Sequence, residues 1–281
     1  MVADVIKDKQ EEALALARDF ADSAPDYARI SDYSLWADDQ GYGAAFEESL
    51  DALRLFRVTQ MNPLLLNAIQ KFPKPADIEK TFRIVANFAF RYFLIGNQSP
   101  GNLERVSANI AYEIRANTYT SPKHVADALR AVNSDPTFRS NFALANIEGR
   151  KLARYTLAKI TNQMARQASQ GGAEQVANPY ARQVNLEHVL PEGNPSSWRP
   201  AFSKGANPAD HIYRLGNLTL LLVKVNRDAA DKSFADKKRL ALDASKLKIN
   251  DFFRGASTWS EREIEHRQEG LAKTALDVWK L

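Results

Sequence analysis

Apolar residues recur at helical spacing through the first two thirds of the chain. Tyr42–Val58 and Ile78–Leu94 each carry large apolar side chains on one helical face. Asn62-Pro63 places a proline at the start of an apolar segment, as is typical of the first turn of a helix. The same spacing predicts further helices over about 102–117, 122–133 and 147–168. Because each helix presents one apolar stripe, we expect a helical bundle.

The pattern changes between Gln167 and Pro179, where small and polar residues replace the large apolar ones. Beyond this stretch, Val184–Val189 alternates as a short strand does, and Leu218–Val223 is typical of a buried strand. We therefore predict a chain that is mainly α, with a helical domain over 1–175 and an α+β domain over 176–281.

The last predicted helix carries a complete start signal. Ser260 is a suitable N-cap, and Glu263 follows three residues later, which is the spacing of a capping box. Trp259 and Ile264 have the spacing of a hydrophobic staple. We expect this helix to close the second domain.

Composition excludes several classes of function. The chain has no cysteine, so disulfides, thiol nucleophiles and cysteine zinc sites are absent. The longest largely apolar run, Leu218–Val223, is far shorter than the ~18 residues of a membrane span, and the amino terminus is charged, so we expect a cytoplasmic protein. Residues 1–180 hold 21 basic and 21 acidic residues, whereas residues 181–281 hold 17 and 13. That local excess of positive charge permits an anionic partner.

Four polar residues in the second domain stand out. Glu187-His188 lies near the end of the first predicted strand, with Pro191 shortly after it, and Asn217 and Asn226 flank the second strand. Neighbouring residues of a strand point to opposite faces, so Glu187 and His188 share a site only if the strand ends there. Pro191 favours such an end. Taken alone, Asn226 would also suit a helix cap.

The order of these residues resembles the HNH, or ββα-metal, endonuclease motif, including the nine-residue step from Asn217 to Asn226. Many members of that family bind zinc through cysteine pairs. Here Leu222 and Val225 stand where one pair would fall. The resemblance thus implies an HNH domain without a zinc staple, held by a small hydrophobic core.

The resemblance extends to the carboxy-terminal nuclease domain of GmrSD-type modification-dependent restriction enzymes, which also ends the phosphorothioate-sensing SspE proteins. The segments that carry it are Leu190-Pro191 with Trp198, Leu215–Leu220, Ser233-Phe234-x-x-Lys237, and Trp259 with Ile264 and Arg267. Met61–Leu66 and the helices through Arg91 resemble the helical middle region of those proteins. Their amino-terminal nucleotide-hydrolysing domain has no counterpart here. We expect either that this chain is a carboxy-terminal fragment or that a partner supplies the NTPase domain.

The resemblance implies a role for each motif residue. His188 would be the general base, Glu187 and Asn226 would hold one Mg²⁺ or Mn²⁺, and Asn217 would orient the loop after His188. Asn226 is thereby both a catalytic residue and a metal ligand. The partner would be double-stranded DNA, possibly modified. The residues expected to contact its backbone are Arg214, Lys224, Arg227, Lys232, Lys237, Lys238 and Arg239.

The leading hypothesis is a metal-dependent DNA endonuclease that restricts foreign or modified phage DNA. One alternative is a non-catalytic nucleic-acid-binding or interaction module that retains an HNH scaffold. Another is a PD-(D/E)xK nuclease built from Asp210 and Asp236-Lys237-Lys238.

Overall fold

Helices make up most of the protein, as the sequence predicts. The computed structural model describes residues 2–36, 41–168, 175–176, 178–222 and 232–281. These residues form two compact units. One runs as far as Ser134 and includes Leu281, and the other is Asp135–Lys280. None of the described helices is both long enough and apolar enough to cross a membrane.

The first unit is entirely helical within its described residues. Its α-helices are α1 (Val2–Arg29), α2 (Ala44–Phe56), α3 (Asn62–Lys71), α4 (Pro75–Ala89), α5 (Pro100–Arg115) and α6 (Pro122–Val132). The predicted helices are confirmed with small shifts at their ends, whereas α1 was not predicted. Prolines stand in the first turn of α3 to α6, where the missing N–H costs no hydrogen bond.

Aromatic residues form the core of the first unit. Phe46 on α2 and Phe82 on α4 are fully buried, with ring centroids 5.0 Å apart, and Trp36 meets Phe46 edge to face. The backbone after α4 continues as a π-helical segment, Phe90–Ile95. The predicted helix Ile78–Leu94 therefore covers two different kinds of helical turn.

The second unit combines helices with one small sheet. Its elements are α7 (Asp135–Leu144), α8 (Arg150–Gln167), β1 (Val184–His188), β2 (Leu218–Leu222), α9 (Phe234–Lys237), α10 (Asp251–Gly255) and α11 (Glu261–Val278). Helix α7 packs on α11, and α8 packs on α11 and on both strands. The compact units therefore divide after Ser134, whereas the sequence analysis places its boundary at 175/176. The polar stretch after Gln167 marks the end of α8 but not the edge of a compact unit.

The two predicted strands pair antiparallel. In their register, Glu187 lies opposite Thr219 and His188 lies opposite Leu218. Val223, at the end of the predicted second strand, lies outside the described residues. Because β1 ends at His188, the chain is free to turn directly after the two motif residues.

A hydrophobic cluster surrounds the sheet and the start of α11. Its buried members are Val189, Leu190, Trp198, Phe202, Ile212, Leu221, Phe234, Ala241, Leu242, Phe253, Trp259 and Ile264. The predicted capping box of α11 is confirmed, since Ser260 and Glu263 exchange the expected hydrogen bonds. Trp259 and Ile264, the predicted staple pair, both lie in the cluster. This packing fixes α11 relative to the turn that leads into β2.

Candidate functional site

Glu187 and His188 lie at the end of β1 and contact different partners. Each residue is only 8% exposed. The Glu187 carboxylate forms an ion pair with Lys237, at 2.6 Å between Nζ and Oε1. The His188 ring approaches Glu192, at 3.3 Å between Nε2 and Oε1. The structure thus holds both motif residues in place, each by its own charged neighbour.

Lys237 does not occupy the position that the sequence analysis gave it. It was expected on the surface against a DNA backbone, but it is 1% exposed. Its ammonium donates to Oε1 of Glu187 and, at 2.7 Å, to the backbone carbonyl of His188. A buried ammonium needs such partners because desolvation is costly. Lys237 is therefore part of the site and not of a DNA-facing surface.

The environment of His188 favours a neutral imidazole. Burial lowers its pKa below the ordinary value of 6.5. The Glu192 carboxylate opposes this shift, whereas the charges of Arg150 and Lys237 reinforce it. Tyr213 packs edge-on against the imidazole, with ring centroids 5.8 Å apart. At neutral pH the ring is therefore an available proton acceptor.

Asn217 braces the chain that follows His188. It is fully buried, and its amide nitrogen donates to the carbonyls of Leu190, at 3.0 Å, and Ile212, at 2.9 Å. Its Oδ1 accepts from the backbone N–H of Leu190, at 2.7 Å, and from the indole of Trp259, at 3.0 Å. These bonds connect Asn217 to the turn after His188, which the sequence predicts it to orient. Its contribution to catalysis stays a prediction.

Helix α11 supports the turn before β2. A Cβ on Gly216 would lie 2.0 Å from the carbonyl oxygen of Ile264, so only glycine fits this close approach. Gln268 is fully buried, and its Oε1 accepts from the Gly216 N–H at 3.0 Å. The turn is thereby held at a fixed distance from the helix.

Arg267 adds a buried guanidinium to the same support. It is 2% exposed and donates to the carbonyls of Gly216, at 2.6 Å, and Leu218, at 2.8 Å. Its guanidinium carbon lies 4.6 Å from the ring centroid of Phe253, a cation–π distance. Burial lowers the pKa of Arg267 to about 9, so the group remains charged at neutral pH.

A second buried amide holds the middle of β2. Thr219, opposite Glu187, donates its hydroxyl to Asn250. Asn250 in turn donates to the Leu220 carbonyl, at 2.8 Å, and to the Ser245 hydroxyl, at 2.7 Å. Asn250 was not predicted from the sequence, because no local pattern marks a residue whose partners on β2 lie some thirty positions away.

Two more of the residues expected to contact DNA form hydrogen bonds within the protein. Arg214 donates to Oε1 of Gln268, at 3.1 Å, and to the Ala143 carbonyl, at 2.7 Å. Burial also lowers its pKa. Lys238 donates to the carbonyls of Arg254 and Ala256, at 2.8 and 2.9 Å, and so holds the end of α10. For both side chains these bonds differ from the expected phosphate contact.

Two others remain exposed. Lys232 is exposed, and Arg239 is exposed beside Asp236, with 3.3 Å between Nη2 and Oδ1. Lys224, Arg227 and the motif residue Asn226 lie outside the described residues. Of the seven expected contacts, Lys232 and Arg239 are the two that the described structure leaves open to a phosphate backbone.

The chemistry of Glu187 fits a hard cation. One carboxylate oxygen already binds an ammonium, and among the described residues the other, Oε2, has no hydrogen-bond partner. The described residues contain no group of three His, Asp or Glu side chains placed to hold a metal ion. A divalent ion at Glu187 would therefore need the amide oxygen of Asn226, water or substrate as further ligands.

In the structure, the residues of the PD-(D/E)xK alternative form hydrogen bonds with partners outside that motif. Asp210 accepts from the amide of Asn207, at 3.0 Å, and Asp236 accepts from the Ser233 hydroxyl, at 2.8 Å. Lys238, the lysine of the Asp236-x-Lys238 pattern, donates to the carbonyls of Arg254 and Ala256. The lysine and both acids of this alternative are thus bonded to other partners.

Comparison with known families identifies the domain that carries these residues. The model of the GmrSD restriction endonucleases, C-terminal domain, matches residues 132–274. The chain belongs to this family. A search of curated proteins found no match.

The GmrSD match includes every sequence-predicted site residue. It also begins just before α7, so α7 and α8 fall within the matched domain although the sequence analysis placed them in the helical domain. The family connects the chain to restriction endonucleases, and thereby to DNA as a substrate.

A carboxylate, a phenol ring and a cation close to His188 were not predicted from the sequence. Glu192 lies four residues after His188, and Tyr213 lies four residues before Asn217, and neither was singled out. Arg150 comes from α8, 4.0 Å from the Glu192 carboxylate. The available signal was the proximity of Glu192 to His188 in the sequence.

Proposed function

We propose that this protein is a metal-dependent DNA endonuclease that restricts foreign or modified phage DNA by hydrolysing phosphodiester bonds. The observation that carries the proposal is the buried Glu187–His188 pair at the end of β1, with the following turn braced by Asn217. Membership of a restriction endonuclease family supports it. We also propose that the two strands and the following helix form an HNH-type finger without zinc.

His188 is the general base in this mechanism. A neutral imidazole accepts a proton from water, and the lowered pKa keeps His188 neutral at physiological pH. The ring is oriented by Glu192 at Nε2 and by its T-shaped contact with Tyr213. Because Asn217 fixes the backbone at Leu190, the base keeps its position while substrate binds.

Glu187 and Asn226 would hold one Mg²⁺ or Mn²⁺. Both offer hard oxygen atoms, which these ions prefer. When bound, the ion would stabilise the negative charge that develops on the phosphate and on the leaving oxygen. The family resemblance implies products with a 5′ phosphate.

Lys232 and Arg239 are the described side chains that we propose contact the DNA backbone. Both are exposed and lie on the segment that leads into and out of α9, whose Lys237 reaches the site. Lys224 and Arg227 complete the proposed basic surface. An NTPase and sensor domain, in the same polypeptide or in a partner, would supply nucleotide-dependent control.

The test is cleavage of supercoiled plasmid, unmodified and phage-modified, in Mg²⁺ or Mn²⁺. We expect wild type to nick plasmid and His188→Ala to lose at least about a hundredfold in rate, as is usual for a general base. His124→Ala, an exposed histidine of the first unit, is the matched control and should cleave normally.

The alternative of a non-catalytic binding module is a distinct outcome of this experiment. It predicts salt-sensitive DNA binding that His188→Ala leaves unchanged, with no cleavage in either metal and on either DNA. That result would overturn the endonuclease assignment.

A further inference from the structure

Lys237 contacts both Glu187, the proposed metal ligand, and His188, the proposed general base. Its ammonium lies 2.6 Å from Oε1 of Glu187 and 2.7 Å from the carbonyl oxygen of His188. The lysine side chain is 2% exposed and that of Glu187 is 11% exposed. The next residue, Lys238, also donates to two oxygen atoms, but they are the carbonyls of Arg254 and Ala256, away from the motif.

The backbone that carries Lys237 is firmly held. Ser233 caps α9: its hydroxyl accepts from the Asp236 N–H and donates to the Asp236 carboxylate. The N–H of Lys237 donates to the Ser233 carbonyl at 2.9 Å. Phe234, in the same turn, is buried and stacks on Trp259, with ring centroids 5.4 Å apart. The backbone from which the Lys237 side chain extends is therefore fixed, and this packing sets the position of the ammonium.

The ion pair leaves part of Glu187 available. Lys237 binds Oε1, and Oε2 has no hydrogen-bond partner among the described residues. On the opposite strand, Thr219 directs its hydroxyl to Asn250, so it does not compete for the carboxylate. A carboxylate that is pinned by one oxygen presents the other in a defined direction. Such a ligand loses little conformational freedom when it binds a cation.

We propose that Lys237 is a positioning residue of this site. It fixes the Glu187 carboxylate through one oxygen and the end of β1 through the His188 carbonyl, so that the second oxygen of Glu187 is set to bind a divalent cation. The inference rests on the proposed function. It also separates Lys237 from the DNA-contacting lysines, because a buried ammonium cannot reach a phosphate backbone.

The test compares Lys237→Met and Lys237→Gln with the control Lys238→Met. Free Mn²⁺ is followed by electron paramagnetic resonance during titration of each folded protein, without DNA. We expect Lys237→Met to weaken Mn²⁺ binding at least about tenfold, as is usual for residues that orient a metal ligand. Lys238→Met should stay within about twofold of wild type, because its partners lie outside the site.

Plasmid nicking at saturating Mn²⁺ supplies a second measurement. We expect the two Lys237 variants to lower kcat and to leave KM for plasmid and the salt dependence of DNA binding close to wild type. A lysine that contacted phosphate would instead raise KM and reduce the salt dependence. The division between kcat and KM therefore distinguishes a positioning role from DNA binding.

Four results would overturn the inference. If Lys237→Met binds Mn²⁺ more tightly, the lysine competes with the ion for Glu187. If wild type cleaves and both Lys237 variants match it, the lysine is dispensable and only this inference fails. If wild type binds no Mn²⁺ and cleaves nothing, the proposed function fails with it. If circular dichroism shows that both variants are unfolded where Lys238→Met is folded, the role of Lys237 is purely structural.

Discussion

Trp259 and Asn217 are joined by a buried hydrogen bond, in which the indole Nε1 donates to Oδ1 over 3.0 Å. Trp259 precedes the N-cap of α11, and Asn217 precedes β2. The same oxygen accepts from the Leu190 N–H, in the turn after His188. One amide thus connects the last helix, the second strand and the turn beside the proposed base.

Replacing Asn217 should therefore weaken both the fold and the site. Asn217→Ala leaves buried backbone groups of Leu190 and Ile212 without partners, so we expect a loss of about 3 kcal/mol in the free energy of unfolding. Urea denaturation measures it. Trp259→Phe removes only one donor and should cost about 1–2 kcal/mol. Equal losses in the two variants would contradict this role of the amide.

The pH dependence of cleavage should report the lowered pKa of His188. The base must be neutral, so the rate should fall only below pH 6.5, the ordinary pKa of histidine. Because Glu192 raises this pKa, Glu192→Gln should move the acidic limb further down. Single-turnover rates between pH 5 and 8 check both statements. An acidic limb above pH 6.5 in wild type would refute the assignment.

The lowered pKa of His188 also determines how the stability of the folded protein changes with pH. The folded-state pKa of His188 lies below its unfolded value, so protonation favours the unfolded chain. Its contribution to stability is complete above pH 6.5 and is lost as the pH falls through the folded-state pKa. We expect His188→Gln to show a smaller loss of stability than wild type over this range.

Gly216 should not tolerate a side chain. Gly216→Ala places a Cβ against the Ile264 carbonyl, and we expect a loss of about 3 kcal/mol because backbone on both sides would have to move. Gly270→Ala, within α11, meets nothing within 4 Å and should gain about 0.5–1 kcal/mol. Thermal denaturation of both variants tests the comparison. A neutral Gly216→Ala would mean that the turn and helix are not in contact.

DNA binding should depend on the two exposed cations near α9. Lys232→Ala and Arg239→Ala should each reduce the slope of log K against log salt by about one, since each removes one phosphate contact. Fluorescence anisotropy with a labelled duplex measures the slope. Lys80→Ala, exposed in the first unit, is the control and should leave it unchanged.

The sequence predicts those elements whose signals are local. Helical spacing, first-turn prolines and the Ser260–Glu263 capping box depend on residues within one or two turns, and each is confirmed. The β1–β2 pair follows from two apolar segments of strand length. Asn217 and the acid–histidine pair were found because a family motif names them.

Lys237 was misplaced because its partners are fifty residues away. Within Lys237-Lys238-Arg239 all three residues look alike, as a basic run on a helix. In the structure the first is bonded to Glu187, the second to carbonyls at the end of α10, and the third is exposed. Only the packing of α9 against the end of β1 distinguishes them, and no local pattern encodes that contact.

The attachment of α8 determines which shortened versions of the chain can fold. Arg154 on α8 donates to the carbonyls of Ala181 and Val184, and Asn162 exchanges two hydrogen bonds with the backbone of Val176. A truncated protein that starts at 176 would lose this helix and expose the strand surface beneath it to water. Because α7 also packs on α11, a fragment that keeps the whole compact unit must start no later than Asp135.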